Sequence, residues 1–306
     1  MLVFLNPAAG GGRALDRWKR FAPRIATLDA IQVHLLEGHT NALQVLLDAV
    51  GHGEGRIVAA GGDGTVNAVL GMLMHERMRD ALDQMTFGAV GLGSSNDFHK
   101  PATAALEGYP CKLDFPHARY RDVGMLSAEV DGKSVYRYFL SNASIGATAD
   151  ANREFNEPDR LLRELKHLFT PAAILYAALK TIARHRNVTA IIASPETGAI
   201  QVRLSNLGVV KNNYFSGNLR YDAPAQFDNG LFGVHLCHGM NTPELVHVLL
   251  ALSSGRFSGL QKTRSWWTNA LSVWTSKPMN VEFDGEILCT NSVRFGVLHN
   301  AMKVCP

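Results

Sequence analysis

Gly61-Gly62-Asp63-Gly64-Thr65-Val66-Asn67 organises the N-terminal part of this chain. The apolar run at 56–60 predicts a buried strand before it, and the pattern after it predicts a helix. Glycines allow backbone N–H groups to approach phosphate oxygens, and a helix N-terminus adds a favourable dipole. Thr65 and Asn67 can donate further hydrogen bonds, whereas Asp63 suits an anion site only if it serves a metal ion or a proton. The stretch predicts a phosphate-binding loop, with a tight glycine turn capped by Asp63 as the alternative.

Strand-like and helical patterns alternate on both sides of this stretch. The strand-like runs are 2–5, 32–36, 56–60 and 86–90, and the helical runs are 15–25, 42–50 and 66–78. This β-α-β-α alternation predicts a doubly wound α/β nucleotide-binding domain over residues 1–115. The loops at the carboxyl ends of the strands are where such sheets bind ligands.

Two more glycine loops follow strands of the same predicted sheet. Asn6-Pro7-Ala8-Ala9-Gly10-Gly11-Gly12 follows the first strand, and Gly93-Ser94-Ser95-Asn96-Asp97-Phe98 follows the fourth. Taken alone, the first indicates an ordinary strand-to-helix loop, and the second is equally a helix N-cap. Three such loops on one sheet favour a nucleotide site.

Short alternating segments separated by turn residues dominate residues 116–306. Their pattern predicts an antiparallel β-sandwich domain with a few helices, and the last residues are candidates for returning to the first domain. The predicted strands are 122–129, 134–141, 188–193, 201–204, 231–236, 271–274, 279–283 and 292–297, and the predicted helices are 160–168, 171–184 and 242–252.

A pair of carboxylates lies near the end of this second domain. In Val281-Glu282-Phe283-Asp284-Gly285-Glu286-Ile287, the Asp-Gly pair predicts a hairpin turn. Asp284 and Glu286 flank the glycine, and two neighbouring acids suit general-base chemistry or magnesium binding. A solvated hairpin tip is the alternative.

These motifs, in this order, resemble those of the diacylglycerol kinase catalytic family, which includes bacterial lipid kinases and sphingosine kinases. NPAAG at 6–10, GGDGTVN at 61–67, GLGSSNDF at 91–98 and FDGE at 283–286 carry the resemblance, which covers nearly the whole chain. GGDGT alone is shared with NAD kinases, so the ordered set is what makes the resemblance specific. It implies a kinase that uses ATP and Mg²⁺ to phosphorylate a hydroxyl group of a lipid such as diacylglycerol or a sphingoid base.

The resemblance also implies roles for individual residues. Glu286, with Asp284 beside it, is the candidate general base, and Asp63 is the alternative for that role or for magnesium. The implied nucleotide-binding residues are Asn6, Pro7, Gly10, Gly61, Gly62, Asp63, Gly64, Thr65, Asn67, Gly93, Ser94, Asn96 and Asp97. The family has a structural magnesium near a DGxL segment, and its implied ligands here are Asp228, Asn229 and Leu231.

The chain departs from the family pattern at several positions. Asn229 stands where the DGxL aspartate is expected and Asp228 lies one place early, which puts the structural metal in question. Ala68 stands where an acidic residue often occurs, Ser94 replaces a threonine, and Leu36 replaces another. Two alternatives therefore stay open: an NAD kinase-like enzyme with a soluble acceptor, and a non-catalytic regulator that binds lipid or nucleotide on the same fold.

Composition excludes other classes of protein. The chain has 306 residues, of which 46% are hydrophobic, and a net charge of +3, which suits two domains and lies far from a nucleic-acid-binding balance. Four scattered cysteines without a CxxC pair predict reduced thiols and no zinc site.

The expected location is the cytoplasm, with transient contact at a membrane surface. No apolar segment approaches the roughly 18 residues of a membrane span, and the N-terminus lacks the features of a signal peptide. The basic positions between 160 and 186 could face anionic lipid or could form solvated helix faces. A homodimer is a further expectation.

Overall fold

The computed structural model describes residues 1–26, 30–37, 41–222 and 226–306. The chain divides into two units. Unit 1 contains Met1–Arg121 together with Asn300–Pro306, and unit 2 contains Asp122–His299.

Unit 1 is the α/β domain that the alternating pattern predicts. Its strands are β1 (Leu2–Leu5), β2 (Gln32–Leu35), β3 (Arg56–Gly61), β4 (Thr86–Gly91), β5 (Ala105–Leu106) and β6 (Tyr109–Lys112). Its helices are α1 (Ala9–Gly12), α2 (Ala14–Ala26), α3 (Ala42–Gly51) and α4 (Asp63–Leu73), with 3₁₀ turns at Glu76–Gln84, Asp97–His99 and Phe115–His117. Helix α4 begins three residues before its predicted start at 66, because Asp63 already occupies the first turn, where the helix dipole favours a carboxylate.

The sheet of unit 1 has parallel strands in the order β2-β1-β3-β4. Lys303 and Val304, near the end of the chain, extend it beside β4, also in parallel. The chain runs from β1 outward to β2 and then returns past β1 to β3, so the winding direction reverses between β1 and β3. A ligand-binding crevice is expected outside the carboxyl ends of strands at such a reversal.

The central strands of unit 1, β1, β3 and β4, are apolar on both faces, as buried parallel strands must be. Leu2–Leu5 and Ile57–Ala60 are fully buried. Helix α2 covers one face with Trp18, Phe21 and Ile25, which recur at helical spacing. The rigid sheet therefore fixes where each strand ends and each loop begins.

Unit 2 contains the predicted antiparallel strands and a small group of helices. Its strands are β7 (Arg119–Val130), β8 (Lys133–Phe139), β9 (Asn142–Gly146), β10 (Val188–Ser194), β11 (Gly198–Val210), β12 (Tyr214–Phe215), β13 (Leu219–Arg220), β14 (Phe232–His238), β15 (Thr263–Thr268), β16 (Ala270–Phe283) and β17 (Glu286–Val304), of which β7 begins and β17 ends in unit 1. Its helices are α5 (Ala147–Asn156), α6 (Arg160–Leu168), α7 (Thr170–Arg184) and α8 (Thr242–Ser253).

Strand pairing in unit 2 runs in the order β15-β14-β11-β10-β16-β17, and the neighbours are antiparallel. Strand β9 pairs with both β11 and β16, so these strands wrap around an apolar interior. Phe139, Ile145, Leu207, Phe232 and Val281 are among its buried residues. This interior holds the hairpin between β16 and β17 on a rigid support.

Several segments of unit 2 differ from their sequence predictions. The predicted strands 271–274 and 279–283 form one strand, β16, whose pairing is irregular between Trp274 and Met279. Pro278 lies in that irregular stretch, and proline has no N–H to donate to a ladder. Strand β9 and helix α5 were not predicted, because the sequence at 142–156 is too polar to show a clear apolar period.

In the described residues, every helix falls short of the length and hydropathy needed to cross a membrane. The four cysteines are free thiols. Burial raises the pKa of Cys237 to about 12, and the pKa of Cys305 is also raised to about 12, mainly by burial. These two thiols are therefore protonated and unreactive near neutral pH.

Candidate active site

The loops after β1 and β3 are joined by a direct hydrogen bond. Asn6, the first residue after β1, donates from Nδ2 to Oγ1 of Thr65 at 3.1 Å. Asn6 Oδ1 accepts from the Ala8 N–H at 3.0 Å, which shapes the first loop. Thr65 is buried, so its hydroxyl is held by the loop and does not project into solvent. One asparagine thus fixes both loops at the crevice between β1 and β3.

The loops after β3 and β4 touch through two glycines. A Cβ added at Gly93 would lie 2.4 Å from the Cα of Gly62, so this contact requires a residue without a side chain. Asp63 makes a second link, because its Oδ1 accepts from the Phe98 N–H at 3.0 Å. Asp63 therefore joins two loops. The sequence predicted a proton or metal role for Asp63 and gave no sign of this structural one.

The third loop is held in shape by its own side chains. Asn96, whose φ of 51° is left-handed, accepts from the Gly93 N–H at 3.0 Å and donates to the carbonyls of Gly91 and Gly93. Asp97 is buried and pairs with Lys100 at 2.8 Å. Ser94 is exposed at the tip of the loop. Of these predicted nucleotide-binding residues, Asn96 and Asp97 shape the loop, and Ser94 is the one whose side chain is exposed.

Positive charge surrounds the first loop. Arg17 of α2 donates from Nη1 to the carbonyl of Leu92 at 2.7 Å, and its guanidinium lies so close to Gly10 that a Cβ there would be 2.6 Å away. Gly10 and Gly11 have φ values of 60° and 71°, which glycine adopts at little cost. Arg13 donates to the Gly10 carbonyl at 3.2 Å. Together with the N-terminus of α4, these groups make the crevice suited to an anion.

Two buried basic side chains lie beside the third loop. Burial, together with the neighbouring Lys112 charge, lowers the pKa of His99 to about 4. Burial, and then the charge of Arg121, lowers the pKa of Lys112 to about 8. At neutral pH His99 is therefore neutral, while Lys112 mostly keeps its charge near the ring of Phe98.

The hairpin in unit 2 separates the two predicted carboxylates by environment. Asp284 is buried, and its two oxygens accept from the backbone N–H groups of Leu140, Ser141 and Asn142 at 2.7, 3.0 and 3.0 Å. Its own N–H donates to the Asn142 carbonyl at 2.9 Å. Asp284 therefore ties the end of β16 to the turn between β8 and β9, so its carboxylate is not available as a base.

Glu286 contrasts with its neighbour. Its side chain is exposed at the start of β17, and it accepts no hydrogen bond from the part of the chain that the structure describes. Glu282, two residues before Asp284, is buried and accepts from the Ser144 hydroxyl at 2.8 Å and the Gly285 N–H at 2.9 Å. Asn156 donates to the Gly285 carbonyl at 2.8 Å. These hydrogen bonds hold the hairpin in place, and Glu286 lies exposed at its tip.

The ammonium group of a lysine lies beside the segment predicted to bind a structural metal. Lys211 Nζ lies 2.6 Å from the Leu231 carbonyl and 3.5 Å from Asn229 Oδ1. Asp228, the third predicted ligand, is exposed. Within the described ranges, no cluster of three His, Cys, Asp or Glu side chains could hold a metal. Asp228, Asn229 and Leu231 do not fit a metal ion, because an ammonium group already fills the place beside them.

The structure brings most of the predicted nucleotide residues together in unit 1. Asn6, Gly10, Gly62, Thr65 and Gly93 lie on three mutually contacting loops. Pro7 and Gly64 are half-buried in the same loops, whereas Gly61 and Asn67 are buried behind them.

Four residues of these sites were missed from sequence. Arg17, Lys211 and its buried partner Asp122 lie outside the motifs that the sequence indicated. Glu282 lies within the predicted hairpin segment 281–287, but no role was predicted for it. An arginine in the helix after the first loop was a usable signal for Arg17. The others act through partners far away in sequence, which no local pattern reveals.

Comparisons with known proteins agree with this architecture. Residues 1–112 match the model of the diacylglycerol kinase catalytic domain, and residues 141–306 match that of the YegS C-terminal NAD kinase beta sandwich-like domain. The chain is 24% identical over 251 residues to a Stenotrophomonas maltophilia protein named "Probable lipid kinase YegS-like", covering 80% of this chain and 77% of the relative. It is 24% identical over 241 residues to a protein of Staphylococcus saprophyticus named diacylglycerol kinase, covering 75% of this chain and 70% of that protein.

A solved structure has the same fold. The crystal structure of a diacylglycerol kinase from Bacillus anthracis str. Sterne aligns with a TM-score of 0.65 at 15% identity, covering 99% of this chain and 95% of that one. A second structure from the same organism aligns with a TM-score of 0.70 at 17% identity, covering 99% and 94%. At such low identity, the likeness establishes the fold alone.

Proposed function

This chain belongs to the diacylglycerol kinase catalytic family, and from that membership we propose that it transfers the γ-phosphate of ATP to a hydroxyl group of a lipid. The observation that carries the proposal is the set of three interlocked loops at the carboxyl ends of β1, β3 and β4 in unit 1. ATP enters as its magnesium complex. Phosphoryl transfer depends mainly on positioning and on neutralising charge, which loops of this kind supply.

The nucleotide is assigned to the crevice of unit 1. Backbone N–H groups at the N-terminus of α4 and the cations Arg13 and Arg17 complement phosphate charge. Glycines at 62 and 93 let the second and third loops lie in contact, and the glycine at 10 leaves room for the Arg17 guanidinium beside the first loop. Asn6 and Asp63 act by holding the loops in register, as their hydrogen bonds to Thr65 and Phe98 indicate.

Glu286 is proposed as the general base. Its exposed carboxylate can accept the proton of the acceptor hydroxyl while the hydroxyl oxygen forms a bond to the γ-phosphorus. The bond from that phosphorus to the bridging oxygen breaks, and ADP leaves with the electron pair. Asp284 is a positioning residue, because its carboxylate is committed to three backbone N–H groups.

One face of unit 2 suits contact with a lipid surface. Helices α6 and α7 and the residue between them expose Leu161, Phe169, Leu175 and Leu179, whose exposed fractions are 53, 62, 50 and 42%. Arg160 and Arg163 on α6 are exposed as well. Apolar side chains that enter the bilayer interface, with arginines beside them, are the pattern of a peripheral protein that binds anionic lipid. We assign this face to the membrane from which the acceptor lipid is drawn.

A label-transfer assay tests the proposed function. Purified protein would be given [γ-³²P]ATP and Mg²⁺ with diacylglycerol, a sphingoid base, ceramide or phosphatidylglycerol in mixed micelles, and with NAD as a soluble acceptor. Label in one of the lipids is the expected result, and it would name the acceptor. Label in NAD alone would assign the chain to a soluble-acceptor kinase. ATP binding without transfer to any acceptor would favour a non-catalytic regulator.

A further inference from the structure

A buried lysine lies at the centre of one polar site in unit 2. Lys211 directly follows β11, and its side chain is 1% exposed. Its ammonium nitrogen lies 2.7 Å from Oδ2 of Asp122, 2.8 Å from the carbonyl of Gln226 and 2.6 Å from the carbonyl of Leu231. Asn229 Oδ1 lies 3.5 Å away. All of these neighbours are oxygens.

The partners of the ammonium group come from distant parts of unit 2. Asp122 precedes Lys211 by 89 residues, and its side chain is completely buried. Its carboxylate also accepts from the Gly230 N–H at 2.8 Å and lies 2.9 Å from Nδ1 of His299. The Asp122 N–H donates to the Phe227 carbonyl at 2.7 Å. Asp122 and Lys211 together hold the segment 226–231 against the strands.

This arrangement has the chemistry of a hard-cation site. A carboxylate, two backbone carbonyls and an amide oxygen converging on one point are the ligands that Mg²⁺ and Ca²⁺ prefer. Here they converge on a charged nitrogen at hydrogen-bond distance. A second cation at the same point is excluded by volume and by charge repulsion.

We infer that the Lys211 ammonium takes the place of the structural metal ion that the family carries beside this segment, so that unit 2 folds without a metal. The lysine supplies a positive charge from within the chain, and each N–H bond replaces a metal–oxygen bond. The sequence departures at Asp228 and Asn229 follow, because a site built around lysine needs one buried carboxylate, Asp122, to balance one charge. The inference does not depend on which reaction the protein catalyses.

Two measurements on the unmodified protein test this inference. The metal content of protein purified in EDTA would be measured by mass spectrometry, and its thermal midpoint would be measured in EDTA, MgCl₂ and CaCl₂ without nucleotide. We expect no retained metal and a midpoint that changes by less than about 1 °C among these solutions, because no metal ion contributes to the fold. A midpoint that falls in EDTA and recovers with Mg²⁺ would overturn the inference.

Removal of the lysine should create a metal site. In Lys211→Ala the oxygens of Asp122, Gln226 and Leu231 would surround a vacant space, and the buried Asp122 carboxylate would lose one of its partners. We expect a midpoint lower by roughly 5–15 °C in EDTA. Millimolar Mg²⁺ or Ca²⁺ should restore at least half of that loss. Lys262→Ala is the matched control, because Lys262 pairs with Glu244 on the exposed surface and should give neither effect.

The variant can contradict the inference in two ways. A Lys211→Ala protein as stable in EDTA as Lys262→Ala would show that the ammonium is not needed in the site. A Lys211→Ala protein that is destabilised and ignores both divalent cations would show that the oxygens cannot take a metal in place of the lysine. If this variant does not fold, the metal content and EDTA response of the unmodified protein decide the question.

Discussion

Two acids separated by a single glycine in one hairpin have different tasks because only one of them is buried. Asp284 is 3% exposed and its oxygens are used by backbone N–H groups, whereas Glu286 is exposed at the tip. A base must reach the proton that it removes, and a carboxylate occupied by backbone donors cannot do so without breaking the fold. Within one four-residue motif, burial therefore makes Asp284 a positioning residue and leaves Glu286 as the proposed base.

Asp284→Asn should lower stability, whereas Glu286→Gln should not. An asparagine retains one acceptor oxygen and places an NH₂ group against backbone N–H donors, which leaves buried donors unsatisfied. We expect about 3 kcal/mol less stability in urea unfolding of Asp284→Asn, and a change within about 0.5 kcal/mol for Glu286→Gln. Equal stability of the two variants would contradict the positioning role of Asp284.

Stability should fall on acidification because of buried histidines. His235 stacks on Tyr221 with ring centroids 3.8 Å apart, and burial lowers its pKa to about 4. Between pH 6.5 and 4 the unfolded chain binds a proton that the folded chain does not, so stability is present above this range and is lost as pH falls through it. We expect His235 to lower the free energy of unfolding by about 2 kcal/mol as the pH falls from 7.5 to 5.

His235→Phe isolates this contribution, since an aromatic ring keeps the stack while it removes the titrating group. Its thermal midpoint should depend less steeply on pH between 7.5 and 5 than that of the unmodified protein. His238→Gln, an exposed neighbour on the same strand, is the control and should keep the original slope. An unchanged slope in His235→Phe would show that the histidine is not the source.

At the scale of secondary-structure elements, the three glycine loops of unit 1 hold one another in place. Each of the three follows a strand whose end is fixed by the sheet, and each contacts another through a side chain or a glycine. Close contact of loops from different strands is what makes a preorganised anion site, because the donors do not have to be ordered when the ligand binds. Loop geometry should therefore respond to a single added methyl group.

Gly93→Ala should weaken nucleotide binding, because its Cβ would lie 2.4 Å from Gly62. We expect the Kd for ATP, measured by calorimetry, to rise at least tenfold, since a shift of the backbone costs ~1–3 kcal/mol. Gly71→Ala is the matched control: Gly71 lies in α4 with nothing within 4 Å of its Cβ position. That change should leave Kd unchanged and add ~0.5–1 kcal/mol of stability. Equal ATP affinities of the two variants would contradict the account of the loops.

Helices α6 and α7 lead to a prediction about vesicles. Phe169→Ser with Leu175→Ser removes two exposed apolar side chains from the proposed membrane face. Sedimentation with phosphatidylglycerol-containing vesicles should show binding at least tenfold weaker, since each buried side chain contributes ~1.5–3 kcal/mol. Tyr136→Ser, 57% exposed on β8, is the control and should bind normally. Equal binding of all three proteins would place the lipid contact elsewhere.

At the scale of the whole molecule, much of the fold was predictable because its signals are local. Three of the parallel strands of unit 1, β1, β3 and β4, are short apolar runs that end in glycine loops, and the structure confirms the alternating α/β pattern and the β-rich second part. The site was predictable to the extent that it is contained in motifs. The bonds of Asp284 to residues 140–142 and the pair formed by Asp122 and Lys211 were not, because they join residues 89 or more positions apart. Such contacts exist only once the strands have paired.

The most direct test of the account compares transfer and binding in the unmodified protein and in Glu286→Gln. Transfer of ³²P from ATP to the best lipid acceptor gives kcat, and calorimetry gives the Kd for ATP. We expect kcat to fall by roughly 10²- to 10⁴-fold in the variant, the usual contribution of a general base, with an unchanged Kd because the loops of unit 1 are intact. A variant that transfers label at the original rate would contradict the assignment of Glu286, and an unmodified protein that binds ATP but labels no lipid would contradict the proposed kinase itself.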